Sequence, residues 1–355
     1  MGSWLNTLFL GDSLDIATTL TECFKEKIRL IYIDPPFFTE TDYSLRRKTR
    51  NRREMAPTLS ETRTYSDKWE GGLDQYLVFL KERLSVMKPL LSNDGSLWLH
   101  LDWHVSHYAR VILDQVFGNA NFVNEIVWKR TNSPKAQSRG FGSQHDTILV
   151  YAKDSTRFST LPVYRKHDSK SIQPYIYKDD RGKFRLIEIE AQGIQRSQGR
   201  KQFEWRERTA PYLYKAETLD KWWDEGLIYR SKNGRYSKKQ YLDDVPGVVV
   251  SDLWLDIPPI QGNSLEYTGF LTQKPEGLLY RIIECSTMAG DIVADFFAGS
   301  GTTAVVAERM GRKWIIGDSS EAAVELAKSR LGKVGCKFQV IHTEAQMQHF
   351  FSTSA

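Results

Sequence analysis

Cysteine is scarce in this chain: Cys23, Cys285 and Cys336 are the three in 355 residues, far apart and without paired spacing. A disulfide framework and a cysteine-rich zinc site are thereby excluded. No apolar run approaches the ~18–20 residues that span a bilayer. The first ten residues also lack the basic start and long apolar stretch of a signal peptide. The expectation is a soluble, cytoplasmic protein that does not engage a membrane. Internal repeats and low-complexity segments are missing too. With 41% hydrophobic and 26% charged residues, the chain can bury a core, which excludes wholesale disorder. Its length suits one large domain or two ordinary ones of roughly 100–200 residues each.

What charge there is lies unevenly. Positions 157–239 hold twenty Lys and Arg against eleven Asp and Glu, a local +9 that leaves −4 for the rest of a chain of net charge +5. Within that remainder, six basic residues fall in eight positions: Arg46, Arg47, Lys48, Arg50, Arg52 and Arg53. Two basic regions on a mildly acidic body suggest a polyanion that touches two places. The plainer alternative is a solvated face and a basic loop.

The first 154 residues alternate strand and helix patterns. Strands are expected at 5–10, 28–33, 96–101, 122–128 and 147–151, with a crossover helix over 13–25. Leu73, Tyr76, Leu77, Leu80, Leu84, Met87 and Leu91 keep helical spacing, as do Val105, Tyr108, Ala109, Ile112 and Val116. Residues 39–72 show no periodicity and read as a long mobile loop; Asn93-Asp94-Gly95 reads as a turn. The texture breaks over 155–264, which is aromatic, basic and Gly-rich, with mixed strands and loops expected. It resumes with a helix through Leu278, Leu279, Ile282 and Ile283, a strand at 291–296, a helix at 302–310, a strand at 314–316 and a helix at 320–331. This predicts an α/β fold whose mostly parallel sheet is covered on both faces. Residues 1–154 and 265–355 would form the two halves of one domain around an inserted module at 155–264.

Three segments carry chemistry. Asp295-Phe-Phe297-Ala-Gly299-Ser-Gly301-Thr302-Thr303 lies between a strand and a helix, where a glycine turn lets backbone approach a cofactor. Asp318 ends the next strand, 17 residues beyond Gly301, where an acid can hydrogen-bond a ribose. Gly299-x-Gly301-x-x-Ala304 also fits the dinucleotide fingerprint, so NAD enters as an alternative. Asp34-Pro35-Pro36-Phe37 ends a strand; the prolines stiffen a turn holding a carboxylate beside a carbonyl, two acceptors suited to an exocyclic amino group. Phe37 offers a ring on which a base can stack. Thr272-Gln273-Lys274-Pro275 opens a helix and can present polar groups to a ligand. His100, Asp102, His104 and His107 crowd together as metal ligands might, but they straddle a strand and a helix start, and no metal is expected.

Asp-Pro-Pro-Phe, then Thr-Gln-Lys-Pro, then Asp-Phe-Phe-Ala-Gly-Ser-Gly-Thr-Thr resembles the amino-DNA methyltransferases that use S-adenosyl-L-methionine. The motif order matches their circularly permuted β group, which includes type III modification subunits. The resemblance covers most of 5–154 and 240–332, is weak over 155–239 and absent after Gly332. It implies a Rossmann-like, doubly wound class I methyltransferase fold in which 155–264 recognises the target. It implies methylation of adenine N6 in double-stranded DNA with base flipping, cytosine N4 being the near rival and an inactive DNA-binding protein the reading from another class. Asp34, Pro35, Pro36 and Phe37 then take the catalytic roles. Asp295, Phe297, Gly299, Gly301, Thr302, Asp318, Thr272 and Lys274, with Asp12 at a neighbouring strand tip, take the cofactor roles. The basic cluster at 46–53 would clamp DNA. A restriction-modification setting, with a cognate endonuclease and a homodimer as further partners, and a place at the prokaryotic nucleoid complete the expectation. Phe38 departs from the pattern, standing where many relatives carry Asn.

Overall fold

The computed structural model describes residues 5–39, 42–49, 58–131, 141–192 and 202–342, with the backbone alone given for 42–49 and 58–66. The chain divides into two compact units: residues 1–163 with 251–355, and residues 164–250. No described helix is long and apolar enough to cross a membrane.

In the first unit, β1 (Asn6–Leu10) leads into a helix, Ser13–Phe24. Asp12 caps that helix, its carboxylate accepting the Leu14 amide at 2.8 Å. Ile16, Ala17, Leu20 and Phe24 recur at helical spacing and are buried. Strand β2 (Ile28–Ile33) is buried along nearly all its length, as a central parallel strand should be. Residues expected to form a structureless loop instead include a hairpin, β3 (Asp42–Thr49) against β4 (Thr58–Ser66). Its strands alternate charge with threonine, serine and leucine, and cross-strand pairing replaces the missing apolar stripe. The helix Gly72–Met87 follows. Pro89 cannot continue it, so a 3₁₀ turn intervenes and Leu91 belongs to β5 (Leu91–Leu101) rather than to the helix. Asn93-Asp94-Gly95 is therefore no turn between elements. It is an exposed irregularity inside β5, where Asp94 pairs with Arg29. A helix Ser106–Phe117, β6 (Phe122–Lys129) and β7 (His145–Ala152) complete this half.

The second unit is smaller. Strands β8 (Tyr164–Arg165) and β15 (Val248–Val249) pair at its two ends. Between them, β9 (Tyr177–Asp179), β10 (Gly182–Glu188), β14 (Tyr236–Tyr241) and β13 (Ile228–Arg230) form an antiparallel sheet, and β11 (Phe203–Trp205) and β12 (Arg208–Ala210) form a hairpin. A helix, Ala216–Asp224, was not legible in the sequence. It buries one residue fully, Leu219, against Ile189, Trp205, Tyr212 and Tyr236. Its apolar stripe is too narrow to stand out from the surrounding aromatics. The unit is narrower than the expected insert. Leu161 and β16 (Leu253–Trp254) belong to the first unit, through a backbone bond to Cys285 and pairing with β6.

The chain then returns through the helix Glu276–Ser286, β17 (Ile292–Asp295), the helix Thr302–Arg309, β18 (Lys313–Asp318) and the helix Glu321–Val334. A last strand, β19 (Phe338–Ile341), pairs beside β1 beyond the point where the family likeness ends. The sheet order is β16-β6-β7-β5-β2-β17-β18-β1-β19, and β7 alone runs antiparallel to its neighbours. Three helices from the first half pack on one another, as do three from the second, giving the two helical layers of a doubly wound fold. Because β2 and β17 are neighbours, with Leu30 opposite Val293, segments at opposite ends of the chain place their carboxyl-terminal turns side by side.

Candidate active site

A cavity of about 220 Å³ opens where β1, β2, β17 and β18 end. This is the expected ligand position in an open α/β sheet. Its walls include Asp12, Asp34, Pro36, Thr272, Lys274, Asp295, Phe297, Gly299, Thr302 and Asp318, all singled out from sequence. Gly301 sits behind the wall as the left-handed cap of the helix Thr302–Arg309, at φ +75°. A Cβ there would lie 2.8 Å from the Ala327 Cβ, so only glycine lets the two helices close. At Gly299, φ is +49° and a Cβ would meet the Phe270 ring at 3.1 Å.

The glycine turn is held by two carboxylates. Asp295 is buried and accepts the Thr303 hydroxyl at 2.5 Å and the Phe297 amide at 3.0 Å. Burial pushes its carboxyl up to about 7, with Asp34 and Asp318 adding like charge against the opposing hydrogen bonds. Asp318 accepts the Gly299 amide at 2.8 Å and the Ser320 amide at 2.9 Å. It too is raised, by burial. Arg330, which sequence reading passed over, donates to the Ser300 carbonyl at 3.0 Å and the Thr302 hydroxyl at 2.9 Å while pairing with Glu276. It thus ties the glycine turn to the helix that follows Thr272 and Lys274. Being a lone arginine in a helix, it offered no sequence signal.

On the other side, Asp34 pairs through Oδ2 with the Lys274 ammonium. Its Oδ1 is buried without a hydrogen-bond partner among the described residues. Lys274, expected at the cofactor, is thus paired with the carboxylate of the Asp-Pro-Pro-Phe segment, and its ammonium also sits 5.0 Å from the Phe37 ring centroid. Phe37 does not line the cavity. Its ring lies nearly parallel to the His100 imidazole, centroids 6.0 Å apart. His100 is fully buried between the Tyr32 hydroxyl, 2.9 Å from Nδ1, and Asp146, 3.2 Å from Nε2. Asp102 hydrogen-bonds His104. These groups are engaged with one another, and no cluster able to hold a metal occurs among the described residues.

Asp12 lines the cavity but is committed elsewhere: besides capping its helix, it accepts two hydrogen bonds from Arg83, at 2.7 and 2.8 Å. Arg46, Arg47 and Lys48 lie on β3, with their Cα atoms opposite Glu61, Ser60 and Leu59. Arg50, Arg52 and Arg53 fall outside the described residues.

Residues 28–329 match the family model described as DNA methylase, of the N6/N4 type. The chain belongs to that family. Among curated relatives of the chain, the type II methyltransferase M.EcaI of Enterobacter cloacae is 29% identical over 86% of the chain and 65% of that protein. The Mod subunit of the type III enzyme StyLTI of Salmonella typhimurium is 26% identical over 84% of the chain and 49% of that subunit. The chain thus spans about half to two-thirds of the length of these relatives. The solved structure of TTHA0409 from Thermus thermophilus shares 16% identity, covers 96% of this chain and all of that one, and has a TM-score of 0.50. The likeness is one of fold, and it agrees with the α/β architecture described above.

The cavity wall holds four carboxylates, of which Asp12 is paired with Arg83 and Asp34 with Lys274, while Asp295 and Asp318 make no ion pair among the described residues. That balance suits a ligand bearing positive charge. It opposes the pyrophosphate of NAD, which the glycine fingerprint alone would have admitted.

Proposed function

We propose that the chain is a site-specific DNA methyltransferase that moves a methyl group from S-adenosylmethionine to N6 of adenine, the base being flipped out of duplex DNA. The observation that carries this reading is the buried, partnerless Oδ1 of Asp34 beside a cavity rich in carboxylates. When bound, S-adenosylmethionine supplies an electrophilic methyl on a sulfonium. The residues present fit it: Asp318 for the ribose, the Gly299–Gly301 turn for close backbone approach, and Asp295 for the ammonium end.

Asp34 does the work on the base. Its Oδ1 accepts one hydrogen of the amino group, drawing density back to a nitrogen whose lone pair is otherwise shared with the ring. Lys274, on Oδ2, fixes the rotation of the carboxylate so that the acceptor points one way. S-adenosylmethionine held by those residues would supply the methyl to this nitrogen, and Asp34 Oδ1, already accepting from the amino group, would be placed to take up the proton that the methylated nitrogen loses. Alignment supplies much of the acceleration, with acceptor charge already in place. Phe37, backed by His100, offers its ring to the flipped base.

Adenine is favoured over cytosine because the tetrapeptide begins with Asp rather than Ser. The basic hairpin and the unit 164–250 are proposed to contact DNA. A restriction endonuclease is the proposed partner by analogy with type III Mod subunits, and a second copy of the chain is a further one. Incubation with tritiated-methyl S-adenosylmethionine and unmethylated plasmid DNA, then nucleoside digestion, tests the reading. N6-methyladenine is expected. N4-methylcytosine would reassign the base, and no incorporation by folded, cofactor-saturated protein would remove the activity.

A further inference from the structure

The turn that follows the catalytic tetrapeptide is gathered onto one carboxylate that no motif pointed to. Asp67 is completely buried. Its Oδ2 accepts the Phe37 amide at 3.1 Å, the Thr39 amide at 2.7 Å and the Thr39 hydroxyl at 2.8 Å. Its Oδ1 accepts the Phe38 amide at 3.0 Å and the Trp69 indole N–H at 3.1 Å. Five donors converge on two oxygens, and all five are neutral. Three are consecutive backbone amides, an arrangement that fixes a main-chain turn rather than a side chain.

The middle residue explains why such fixing is needed. Phe38 has φ +60°, a left-handed conformation that a bulky residue adopts only at a steric cost. Asparagine tolerates that region far better. The turn is therefore strained on its own and stable only when its amides are collected from outside. Asp67 also follows directly on β4, while Thr39 precedes β3, so one carboxylate closes the foot of the basic hairpin and the turn behind Asp34 and Phe37.

We infer that Asp67 is a positioning residue for methyl transfer, holding the Phe37–Phe38–Thr39 turn so that Asp34 and Phe37 present one geometry to the target base. This rests on the activity proposed above. Removing the carboxylate lets Phe38 relax out of the left-handed region, and the tetrapeptide moves with it. An amide side chain retains one acceptor but sets a donor against the same cluster of donors, so Asp67→Asn falls between the native chain and Asp67→Ala.

Two measurements on the full chain separate this inference from the activity. Native-state hydrogen exchange needs no substrate. The Phe37, Phe38 and Thr39 amides are expected to lose at least tenfold protection in Asp67→Ala while amides of β2 and β17 keep theirs; unchanged protection at the three amides would overturn the positioning role. If native protein fails to methylate plasmid DNA, the proposed activity falls and the exchange result still decides the role of Asp67 in the turn. With active protein, turnover should fall at least 100-fold in Asp67→Ala and about tenfold in Asp67→Asn, with cofactor affinity within threefold of native. Turnover within threefold of native in Asp67→Ala would overturn the inference. Should the alanine variant fail to fold, Asp67→Asn carries the test. Adding Phe38→Asn to it is expected to restore turnover severalfold, because the strain that Asp67 held is relieved at its source. A general packing role for Asp67 predicts no such restoration, and its absence would sink the proposal.

Discussion

At the ends of β17 and β18 the chain meets the cavity through backbone; at the end of β2 it does so through side chains. The first region uses two left-handed glycines, with the Phe297 and Gly299 amides donating to Asp295 and Asp318 and the Ser300 carbonyl accepting from Arg330. The second uses two prolines, an ion pair and a left-handed phenylalanine, gathered by Asp67. The backbone-built half tolerates no added atom, because its neighbours are main chain and helix. The side-chain half tolerates atoms but not the loss of a charge or an acceptor. Damage to the two halves should therefore separate cleanly into binding and chemistry.

The strongest test of that separation is Asp34→Ala. Methyl transfer should fall at least 10³-fold, with cofactor affinity within about threefold of native. A matched fall in both, read by turnover and by calorimetric titration, would dissolve the distinction. Lys274→Met comes next, with turnover expected to drop about 10–100-fold once Asp34 loses the cation that orients it. If affinity falls instead, Lys274 belongs to the cofactor half after all, as the sequence motif suggested. Gly301→Ala should act in the opposite sense, weakening cofactor binding about tenfold and destabilising the fold by ~2 kcal/mol through its conflict with Ala327 and its positive φ.

Asp295 adds a dependence on pH. Its folded carboxyl is raised to about 7 from an ordinary value of 3.8. The stability this contributes is full below pH 3.8 and lost as pH rises through about 7. Asp295→Asn should therefore raise the melting temperature of cofactor-free protein at pH 8, by at most ~2–4 kcal/mol in stability. The advantage should shrink toward pH 5. A constant difference across that range would show that the carboxyl is ionised throughout. The smallest effect is expected outside the cavity. Replacing Arg46, Arg47 and Lys48 with alanine should flatten the salt dependence of DNA binding by about one unit of slope for each phosphate no longer neutralised. An unchanged slope would make the hairpin a solvated ribbon.

Most of the sheet was legible because its strands are short apolar runs ending at Asp, Pro or Gly. So were the glycine turn and the proline turn, since each relies on residues whose backbone preferences are strong at short range. Three elements were not. The β3–β4 hairpin has no apolar alternation to mark it in the sequence. The helix Ala216–Asp224 buries one leucine among aromatics. The end of the helix at Met87 was overrun because Leu91 keeps helical spacing, although Pro89 stops the chain from following it.

The three scarce cysteines remain free thiols, with Cys285 buried and its thiol pushed up to about 11 by that burial. Composition and short-range pattern thus already carried the α/β class and the two turns, while the chemistry proposed for them came from the resemblance of three ordered motifs to a known family. They could not carry the pairing of Lys274 with Asp34, the diversion of Asp12 to Arg83, or the convergence of five donors on Asp67. Apart from Trp69, which is two positions from Asp67, those depend on residues 28 to 240 positions apart being brought within hydrogen-bond reach. Local propensity has no term for that. It arises when β2, β17 and β18 line up in one sheet and their ends meet.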